Sequence, residues 1–292
     1  MRYLYYPGCT LSTKAKNLDR SARRSMEVLG VELQELSHWN CCGTTFPLVT
    51  DNIISLLAPA RVLADASAEG NVLVTICAFC YHVLKRTSYL LQQEPDTRQK
   101  IELFLQEEER SISDSLRVVH LLEVLRDEVG FDKVKAAVKR PLSALRVAPY
   151  YGCQVLRPSR ELEFDDIEYP QIMFDFLQSL GCQVSRIPYE TECCGSYLSV
   201  TSEEAAIECS SRILQSAQKR GVEALSVTCP LCQFNLERNQ EKMRETKQEV
   251  SDIPVLYFTE LLALALGQDM SEDDAGLHFV DCRGLFRAKE LL

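Results

Sequence analysis

The sequence predicts an α/β protein made of two pseudo-symmetric Rossmann-like domains with mainly parallel sheets, related by internal duplication. Three observations predict this fold. The chain of 292 residues has the length of about two domains. A set of cysteine motifs occurs twice in the same order. Short apolar segments alternate with longer helical patterns, as expected for βαβ units.

Composition and charge argue against several classes of protein. An apolar content of 46% is sufficient to bury a core, and 42 acidic against 32 basic residues give a net charge of −10. This charge argues against phosphate-driven nucleic-acid binding. The N-terminus lacks the features of a secretory signal, and the apolar stretch from Val255 to Gly267 is interrupted by Glu260 and too short to span a bilayer. We therefore expect a cytoplasmic protein that does not itself insert into a membrane.

The repeat consists of three cysteine motifs in each half of the chain. They are a cysteine after a tyrosine-rich segment at Cys9 and Cys153, a Cys-Cys-Gly at 41–43 and 193–195, and a Cys-x-x-Cys at 77–80 and 229–232. In both halves 34 residues separate the Cys-Cys pair from the Cys-x-x-Cys. A coincidence would not reproduce three motifs in one order, so we predict a duplication with domains at 1–140 and 141–292.

The strands and helices are predicted from short apolar runs and from helical periodicity. Strands are predicted at Arg2–Tyr6, Val31–Leu36, Val72–Ile76, Leu145–Tyr150, Gln183–Ile187 and Leu225–Thr228. Helices are predicted near Lys14–Leu29, Asn52–Glu69, Pro170–Leu180 and Glu203–Arg220, and each Cys-x-x-Cys is expected to open a further helix. The cysteines follow strand ends, which is the edge where open parallel sheets bind ligands.

One polar stretch breaks the symmetry of the repeat. Residues from about Gln92 to Arg117 have no counterpart at the same place in the second half. We interpret the stretch as a helical excursion on the surface or a docking element.

The number of cysteines points to metal or redox chemistry. Thirteen cysteines are poor candidates for disulfides in a reducing cytosol. Two adjacent cysteines cannot readily converge on one metal ion, so they more naturally reach different ones. Five thiolates in each set also exceed the four of a structural zinc site or an ordinary four-iron cube, although zinc and a redox dithiol at a Cys-x-x-Cys remain alternatives.

Several residues near the motifs have less certain roles. Cys182 and Cys209 are predicted to be small core residues, and Cys282 is left unassigned. His38 lies three residues before the first Cys-Cys pair, and His82 lies two residues after Cys80. Either could donate to a cluster sulfur or to a substrate, although a satisfied surface or half-buried role is more common. Basic residues follow the first cysteine of each set, and we interpret them as solvated helix starts that could attract an anion: Lys14, Lys16, Arg157 and Arg160.

The doubled motif resembles the cysteine-rich CCG domain. Two copies in one chain resemble the heterodisulfide reductase B-subunit family, including its bacterial sulfur-oxidising relatives. The resemblance extends from Cys9 to at least Cys232 and includes the segment 278–281. It implies two noncubane [4Fe-4S] clusters, one bound by Cys9, Cys41, Cys42, Cys77 and Cys80, the other by Cys153, Cys193, Cys194, Cys229 and Cys232.

The resemblance also implies a reaction and partners. The chain would be the active-site subunit of a heterodisulfide reductase-like oxidoreductase complex. A disulfide or sulfur-carrier substrate would bind between the clusters, where disulfide or sulfur bonds are reduced or formed, with no catalytic residue beyond the clusters. The sequence has no ferredoxin-type cysteine run, dinucleotide-binding motif or P-loop, so we expect a ferredoxin-like iron–sulfur subunit and a flavin-containing subunit as partners. The alternatives are an electron-transfer subunit of a lactate- or glycolate-type oxidoreductase complex and a zinc-binding scaffold.

Overall fold

The chain forms two parallel four-stranded sheets. The computed structural model describes residues 1–44, 52–245 and 252–292. The strand order is β2-β1-β3-β4 in the first sheet and β6-β5-β7-β8 in the second. The strands are β1 (Arg2–Tyr5), β2 (Glu32–Glu35), β3 (Val72–Thr75), β4 (Arg117–His120), β5 (Arg146–Pro149), β6 (Gln183–Val184), β7 (Ala224–Val227) and β8 (Val255–Tyr257). The shared order confirms the predicted α/β fold with two similar domains.

Helices connect the strands, because parallel neighbours need a crossover rather than a hairpin. In the first half they are α1 (Gly8–Leu11), α2 (Lys16–Val28), α3 (Ile54–Glu69), α4 (Ala78–Gln93), α5 (Pro95–Glu107), α6 (Leu121–Glu123), a π-helix (Val124–Val129) and α7 (Phe131–Ala137). In the second half they are α8 (Ser159–Leu162), α9 (Ile172–Ser179), a 3₁₀-helix (Ser196–Val200), α10 (Glu203–Lys219), α11 (Pro230–Glu245), α12 (Phe258–Ala265), α13 (Glu272–Ala275) and α14 (Cys282–Ala288). None of the helices in the described ranges is long and apolar enough to cross a bilayer.

The six predicted strands and four predicted helices are confirmed, mostly with slightly shorter bounds. The exception is the strand predicted at Gln183–Ile187, which is only two residues long, Gln183–Val184. Two strands, β4 and β8, were not predicted. Each pairs in parallel with the third strand of its own sheet, as Val118 does with Leu73 and Leu256 with Ser226. Both strands have three or four residues and continue directly into an apolar helix, so local periodicity cannot separate strand from helix there.

The polar stretch after α4 contains a helix, as predicted. Helix α5 has Pro95 in its first turn, where the missing N–H is not needed. Its buried residues Ile101 and Leu105 pack against α3 and Leu91 of α4 in a small apolar cluster separate from the main core. A role of this helix in docking stays a prediction.

Each half contributes a helix that packs against the other half. Helix α12, which follows the last strand of the second sheet, packs against α2 of the first half. Ser21 Oγ and Thr259 Oγ1 are 2.7 Å apart at this contact. In the reverse direction α7 packs against α9, and the rings of Phe131 and Phe176 lie 6.0 Å apart. The two sheets therefore share one continuous core, and the domain boundary near residue 140 stays a prediction.

Candidate functional site

The strand order brings the three cysteine motifs of each half to one edge. In the first half Cys9 lies in α1 after β1, the pair Cys41 and Cys42 lies in the loop after β2, and Cys77 caps α4 after β3. Because β1 lies between β2 and β3, the carboxyl ends of these three strands are adjacent. The second half repeats this placement with β5, β6 and β7.

The five thiols of the first half form a continuous row. Cys9 Sγ lies 3.6 Å from Cys41 Sγ, and Cys42 Sγ lies 3.8 Å from Cys80 Sγ. Side-chain interactions between Cys41 and Cys42 and between Cys77 and Cys80 complete the row. The order is the leading cysteine, the pair, and then the second and first members of the Cys-x-x-Cys. We call this set the first row.

The second half contains the same row in the same order. Cys194 Sγ lies 3.6 Å from Cys232 Sγ. Cys193 interacts with both Cys153 and Cys194, and Cys229 interacts with Cys232. We call this set the second row. The structure therefore brings together, half by half, all ten cysteines that the sequence singled out.

Hydrogen bonds between neighbouring sulfurs shift the pKa values of the thiols in both rows. The hydrogen bond between Cys42 and Cys80 lowers the pKa of Cys42 to about 7 and raises the pKa of Cys80. In the second row the hydrogen bond between Cys153 and Cys193 lowers the pKa of Cys193, and the pKa of Cys153 is raised in return. In each pair one sulfur is favoured as the thiolate and its neighbour keeps the proton, which a metal must displace in order to bind both sulfurs.

Glycines allow the sulfurs to approach the backbone of the leading motif. A Cβ on Gly8 would lie 2.8 Å from Cys80 Sγ, and one on Gly152 would lie 3.3 Å from Cys232 Sγ. Both glycines also have positive φ, +75° and +65°, a backbone conformation that residues with a Cβ rarely adopt. The Tyr-Tyr-Pro-Gly-Cys and Tyr-Tyr-Gly-Cys sequences thus contain a glycine before the cysteine for a steric reason.

Buried tyrosines fix the loops that carry the cysteine pairs. The Tyr6 hydroxyl donates to the carbonyl of Asn40 at 2.8 Å, and the Tyr150 hydroxyl donates to the carbonyl of Glu192 at 2.7 Å. Asn40 and Glu192 each come directly before a Cys-Cys pair. Burial raises the pKa of both tyrosines, and the charges of the nearby thiols add to this shift, so the phenols stay protonated as donors.

The two rows approach each other where the Cys-x-x-Cys motifs begin. Ala78 N donates to the carbonyl of Thr228 at 3.2 Å, which joins the start of one motif to the start of the other. The Phe79 and Tyr197 rings lie 5.5 Å apart across the same boundary. Tyr257 is influenced electrostatically by thiols of both rows. The region between the rows is therefore lined by both halves of the chain.

The rows differ in how far they are covered. In the first row Cys9 and Cys41 are exposed, whereas the matching Cys153 and Cys193 are only partly accessible. The 3₁₀-helix Ser196–Val200 begins immediately after the second Cys-Cys-Gly. The residues at the corresponding place in the first half, 45–51, lie outside the described ranges.

His82 has a structural connection that the sequence did not reveal. The buried ring contacts the carbonyl of Gln154 through Nδ1 at 3.0 Å, and Gln154 Nε2 donates to Cys153 Sγ at 3.5 Å. Burial lowers the pKa of His82 to about 4, so the ring is neutral at pH 7. His82, two residues after the first row, thereby positions the loop that begins the second. His38 is exposed.

The three remaining cysteines lie in different surroundings. Cys182 is buried, as predicted, and burial raises its pKa to about 12. The core prediction for Cys209 is wrong: it is only partly buried, because it lies on α10 against Gly195, beside the second row. Cys282 is buried with its sulfur 3.5 Å from Met270 Sδ. The four basic residues near the leading cysteines are all exposed, which agrees with solvated positions: Lys14, Lys16, Arg157 and Arg160.

Sequence reasoning missed a buried charged group near the second row. His278 Nδ1 lies 3.1 Å from Glu237 Oε1, and His278 Nε2 lies 3.0 Å from Glu260 Oε1. The available signal was Glu260, which interrupts an otherwise apolar segment. A carboxylate at such a position is buried only with partners.

The rows suit a cluster of several metal ions by their donor chemistry and shape. Within the described ranges, no three His, Cys, Asp or Glu side chains converge on one point as a single bound ion requires. Each set is instead an extended row of sulfurs that is more accessible at the end with the leading cysteine and buried at the end with the Cys-x-x-Cys. Thiolates spread along a row can each bind a different metal of an iron–sulfur cluster.

Comparisons with known proteins agree with this arrangement. The family described as the CCG cysteine-rich domain matches residues 3–85 and 147–237. A protein of Wolinella succinogenes named 8-methylmenaquinol:fumarate reductase membrane anchor subunit is 32% identical, over 97% of this chain and 98% of its own length. The B-subunit of the ferredoxin/F(420)H(2)-dependent CoB-CoM heterodisulfide reductase of Methanosarcina acetivorans is 26% identical, over 93% and 91%. A protein of Archaeoglobus profundus, named for its likeness to the heterodisulfide reductase B-subunit, is 27% identical over 92% of each chain.

A solved structure supports the fold alone. A hypothetical protein from Helicobacter pylori superposes with a TM-score of 0.72 at 15% identity and covers 94% of this chain. The present chain spans 50% of that protein. Because two copies of the cysteine-rich domain match well over half of the sequence and relatives match it along nearly its whole length, the chain belongs to the heterodisulfide reductase B-subunit family of tandem CCG-domain proteins.

Proposed function

We propose that the chain is the iron–sulfur subunit of an oxidoreductase complex and that each row binds one noncubane [4Fe-4S] cluster. The observation that carries this proposal is the identical order of sulfur contacts in the two rows. The first cluster would be held by Cys9, Cys41, Cys42, Cys77 and Cys80, the second by Cys153, Cys193, Cys194, Cys229 and Cys232. When bound, such clusters exchange single electrons and offer iron to which a substrate sulfur can bind.

The protein prepares the rows by fixing backbone and charge. Cys77 caps helix α4, and Cys229 directly precedes α11. Free amide groups and the helix dipole at these N-termini favour negatively charged sulfur. The amide of Gly195 donates to Cys193 Sγ at 3.4 Å, a further stabilisation of a thiolate. Hydrogen bonds of this kind raise the reduction potential of a cluster.

We propose that the substrate is a disulfide or a carrier-bound sulfur group that binds between the rows. The contact from Ala78 to Thr228 and the ring contact from Phe79 to Tyr197 bring residues of both halves together there. The names of the relatives from Methanosarcina acetivorans and Archaeoglobus profundus support heterodisulfide chemistry. Reduction of a disulfide consumes two electrons and two protons and yields two thiols.

The proposal requires partner subunits that carry electrons. The chain has no nucleotide- or flavin-binding motif, so a ferredoxin-like iron–sulfur subunit and a flavin-containing subunit are the proposed partners. The exposed cysteines of the first row, Cys9 and Cys41, are the accessible end for such a partner. We place the assembled complex in the cytoplasm. With a membrane-bound partner, the complex would lie on the cytoplasmic side of that membrane.

A second candidate function is supported by the relative from Wolinella succinogenes. Its name assigns it to a quinol:fumarate reductase as membrane anchor subunit, and it matches along 97% of this chain. In that case the two clusters would pass electrons between a quinol-oxidising partner and a dicarboxylate-reducing one, with no sulfur substrate. An electron-transfer role in a lactate- or glycolate-type complex would use the same rows in the same way.

The test begins with metal analysis of protein purified without oxygen. Roughly eight irons with matching acid-labile sulfide per chain are expected for two four-iron clusters. About one or two zincs without sulfide would instead identify a structural scaffold and reject the proposal.

The second step distinguishes the two redox functions. The reduced protein is mixed with a small disulfide, and its electron paramagnetic resonance spectrum is followed. A new signal that appears when one disulfide is added per protein chain supports sulfur chemistry. An unchanged spectrum, together with oxidation of the reduced protein by fumarate in the presence of the partner subunits, supports electron transfer alone.

A further inference from the structure

A buried group of three ionisable side chains lies outside both cysteine rows. His278 lies between Glu237 and Glu260, and each of its ring nitrogens is within 3.1 Å of one carboxylate. The exposed fractions of the three side chains are 0%, 0% and 3%. With the ring protonated and both carboxylates ionised, the group carries one negative charge. We call it the tail triad, because His278 belongs to the C-terminal tail.

Helix α11 connects the tail triad directly to the second row. Gln233, the residue after Cys232, donates from Nε2 to Glu237 Oε2 at 2.8 Å. Glu237 follows Cys232 by five residues, which corresponds to a rise of about 7–8 Å along the helix. A charge on the second row would therefore act on the tail triad across about one and a half turns of α11.

Backbone and side-chain amide groups donate hydrogen bonds to both carboxylates. Glu237 accepts hydrogen bonds from the amides of Val255 and Phe279, at 2.9 and 2.7 Å. Glu260 accepts from the amide of Tyr257 at 2.8 Å and from Asn17 Nδ2 at 2.9 Å. The triad thereby joins helices α2, α11 and α12 to the tail.

The other titratable groups that face the triad are few. Tyr257 and Cys282 lie within its field, and burial raises the pKa of each. On the side of α2, Arg24 is ion-paired with Asp274. Burial alone lowers the pKa of His278, but the charges of Glu260 and Glu237 outweigh burial and raise the pKa well above its usual value.

A small cavity lies between Glu260 of the tail triad and Arg24 of helix α2. It has a volume of about 10 Å³ and is lined by Asn17, Glu260, Arg24 and Gln268, among others. Asn17 Oδ1, Arg24 Nε and Gln268 Oε1 are buried and have no hydrogen-bond partner among the described residues. A cavity of this size is at the lower limit of what one water molecule needs.

We propose that the tail triad is a redox-linked proton site for the second row. When the second cluster gains one electron from the partner, the triad takes up one proton from solvent through the cavity, and the proton binds to a carboxylate oxygen. Oxidation of the cluster returns the electron to the partner and the proton to solvent. The inference rests on the proposed function, because it needs a redox cluster at the second row.

The corresponding place in the first half contains a different group. Glu123 follows β4 as Glu260 follows β8, and each carboxylate accepts a hydrogen bond from the amide of the last strand residue. The neighbours of Glu123 are Tyr81 and Lys85. The positive charge of Lys85 occupies the place that Glu237 has in the second half. We therefore assign the proton site to the second half alone.

The experiment measures cluster midpoint potentials as a function of pH in the intact protein. Electron paramagnetic resonance monitors the titrations between about pH 6 and pH 9, a range that lies above the ordinary pKa values of carboxylates. A Cys42→Ser background removes the first-row signal, so the remaining signal belongs to the second row. The variants are Glu260→Gln, Glu237→Gln and His278→Gln. Glu272→Gln, an exposed tail carboxylate paired with Arg283, is the matched control.

The expected result is a second-row potential that falls as pH rises, because reduction takes up a proton. Each triad variant should lose at least half of that slope, and the Glu272→Gln control should keep it. A pH-independent potential in the otherwise unaltered protein overturns the inference, and so does an unchanged slope in all three triad variants. Lower stability with an unchanged slope identifies a structural role and also overturns it. Absence of iron in the same samples would reject the proposed function itself, and with it this inference.

Discussion

The two cysteine rows have the same internal order but different surroundings. In the first row the outer sulfurs of Cys9 and Cys41 are exposed, and in the second row the matching sulfurs are partly covered. Behind the first row lies Glu123 with Tyr81 and Lys85 as neighbours. Behind the second row lies the tail triad.

This difference shows which features of a duplicated site depend on the repeat and which do not. The order of sulfur contacts follows from strand order, because the same three loops meet at the edge of each sheet. The cover and the nearby charges come from segments that are not repeated, such as the tail that carries His278. Two sites with equal ligands can therefore differ in accessibility and potential.

The prediction with the largest expected effect concerns whether the two rows bind metal independently. Cys42→Ser and Cys194→Ser each remove a buried inner sulfur of one row. Each variant should lose about half of the bound iron and retain the rest, because the sets are complete in separate halves. Iron and sulfide analysis measures this. Loss of all iron in either variant would show that the rows assemble as one unit.

A second comparison concerns the glycines after the cysteine pairs. Both have positive φ, but a Cβ on Gly195 would lie 2.9 Å from Ala206 Cα, whereas among the described residues the nearest atom to one on Gly43 is Ala58 Cβ, 3.9 Å away. Gly195→Ala should therefore lower the free energy of unfolding by about 2–4 kcal/mol and Gly43→Ala by about 1 kcal/mol. Urea denaturation measures both values. Equal losses would contradict the steric difference between the halves.

The pH dependence of stability should have opposite signs for two buried histidines. Burial lowers the pKa of His120 in the first half to about 3, so the unfolded chain binds a proton that the folded chain does not. Stability is thus lost as pH falls from about 6.5 toward 3. The raised pKa of His278 acts the other way: its contribution is complete below about pH 6.5 and is lost as pH rises through the folded pKa.

Melting temperatures across pH test this contrast. His120→Asn should reduce the acid-side decline, and His278→Gln should reduce the decline on the alkaline side. If both variants change the same side of the profile, the assignment of a neutral and a charged histidine is wrong.

The smallest expected effect concerns the cysteines outside the rows. Cys182→Ala should cost about 1 kcal/mol because Cys182 is buried, and Cys209→Ala should cost less because it is partly exposed. Both variants should keep their iron. Loss of iron in Cys209→Ala alone would make this residue part of the second row, which it adjoins through Gly195.

Much of the fold and of the candidate site could be predicted from local signals. Six strands were visible as apolar runs that end at cysteine motifs or polar turns. Strands β4 and β8 were missed because each continues without a turn into an apolar helix. Cys209 was assigned to the core because free cysteines usually are buried, and only the packing of α10 against Gly195 shows otherwise.

The sequence by itself determined the duplication, the α/β class and the ten cysteines of the two rows. These features rest on spacing and on side-chain periodicity, which are properties of neighbouring residues. Only the tertiary structure decided the order of sulfur contacts, the exchange of helices between halves and the tail triad. Asn17 and Glu260 are hydrogen-bonded although 243 positions separate them. Such contacts depend on how the two halves pack, and no local pattern encodes that arrangement.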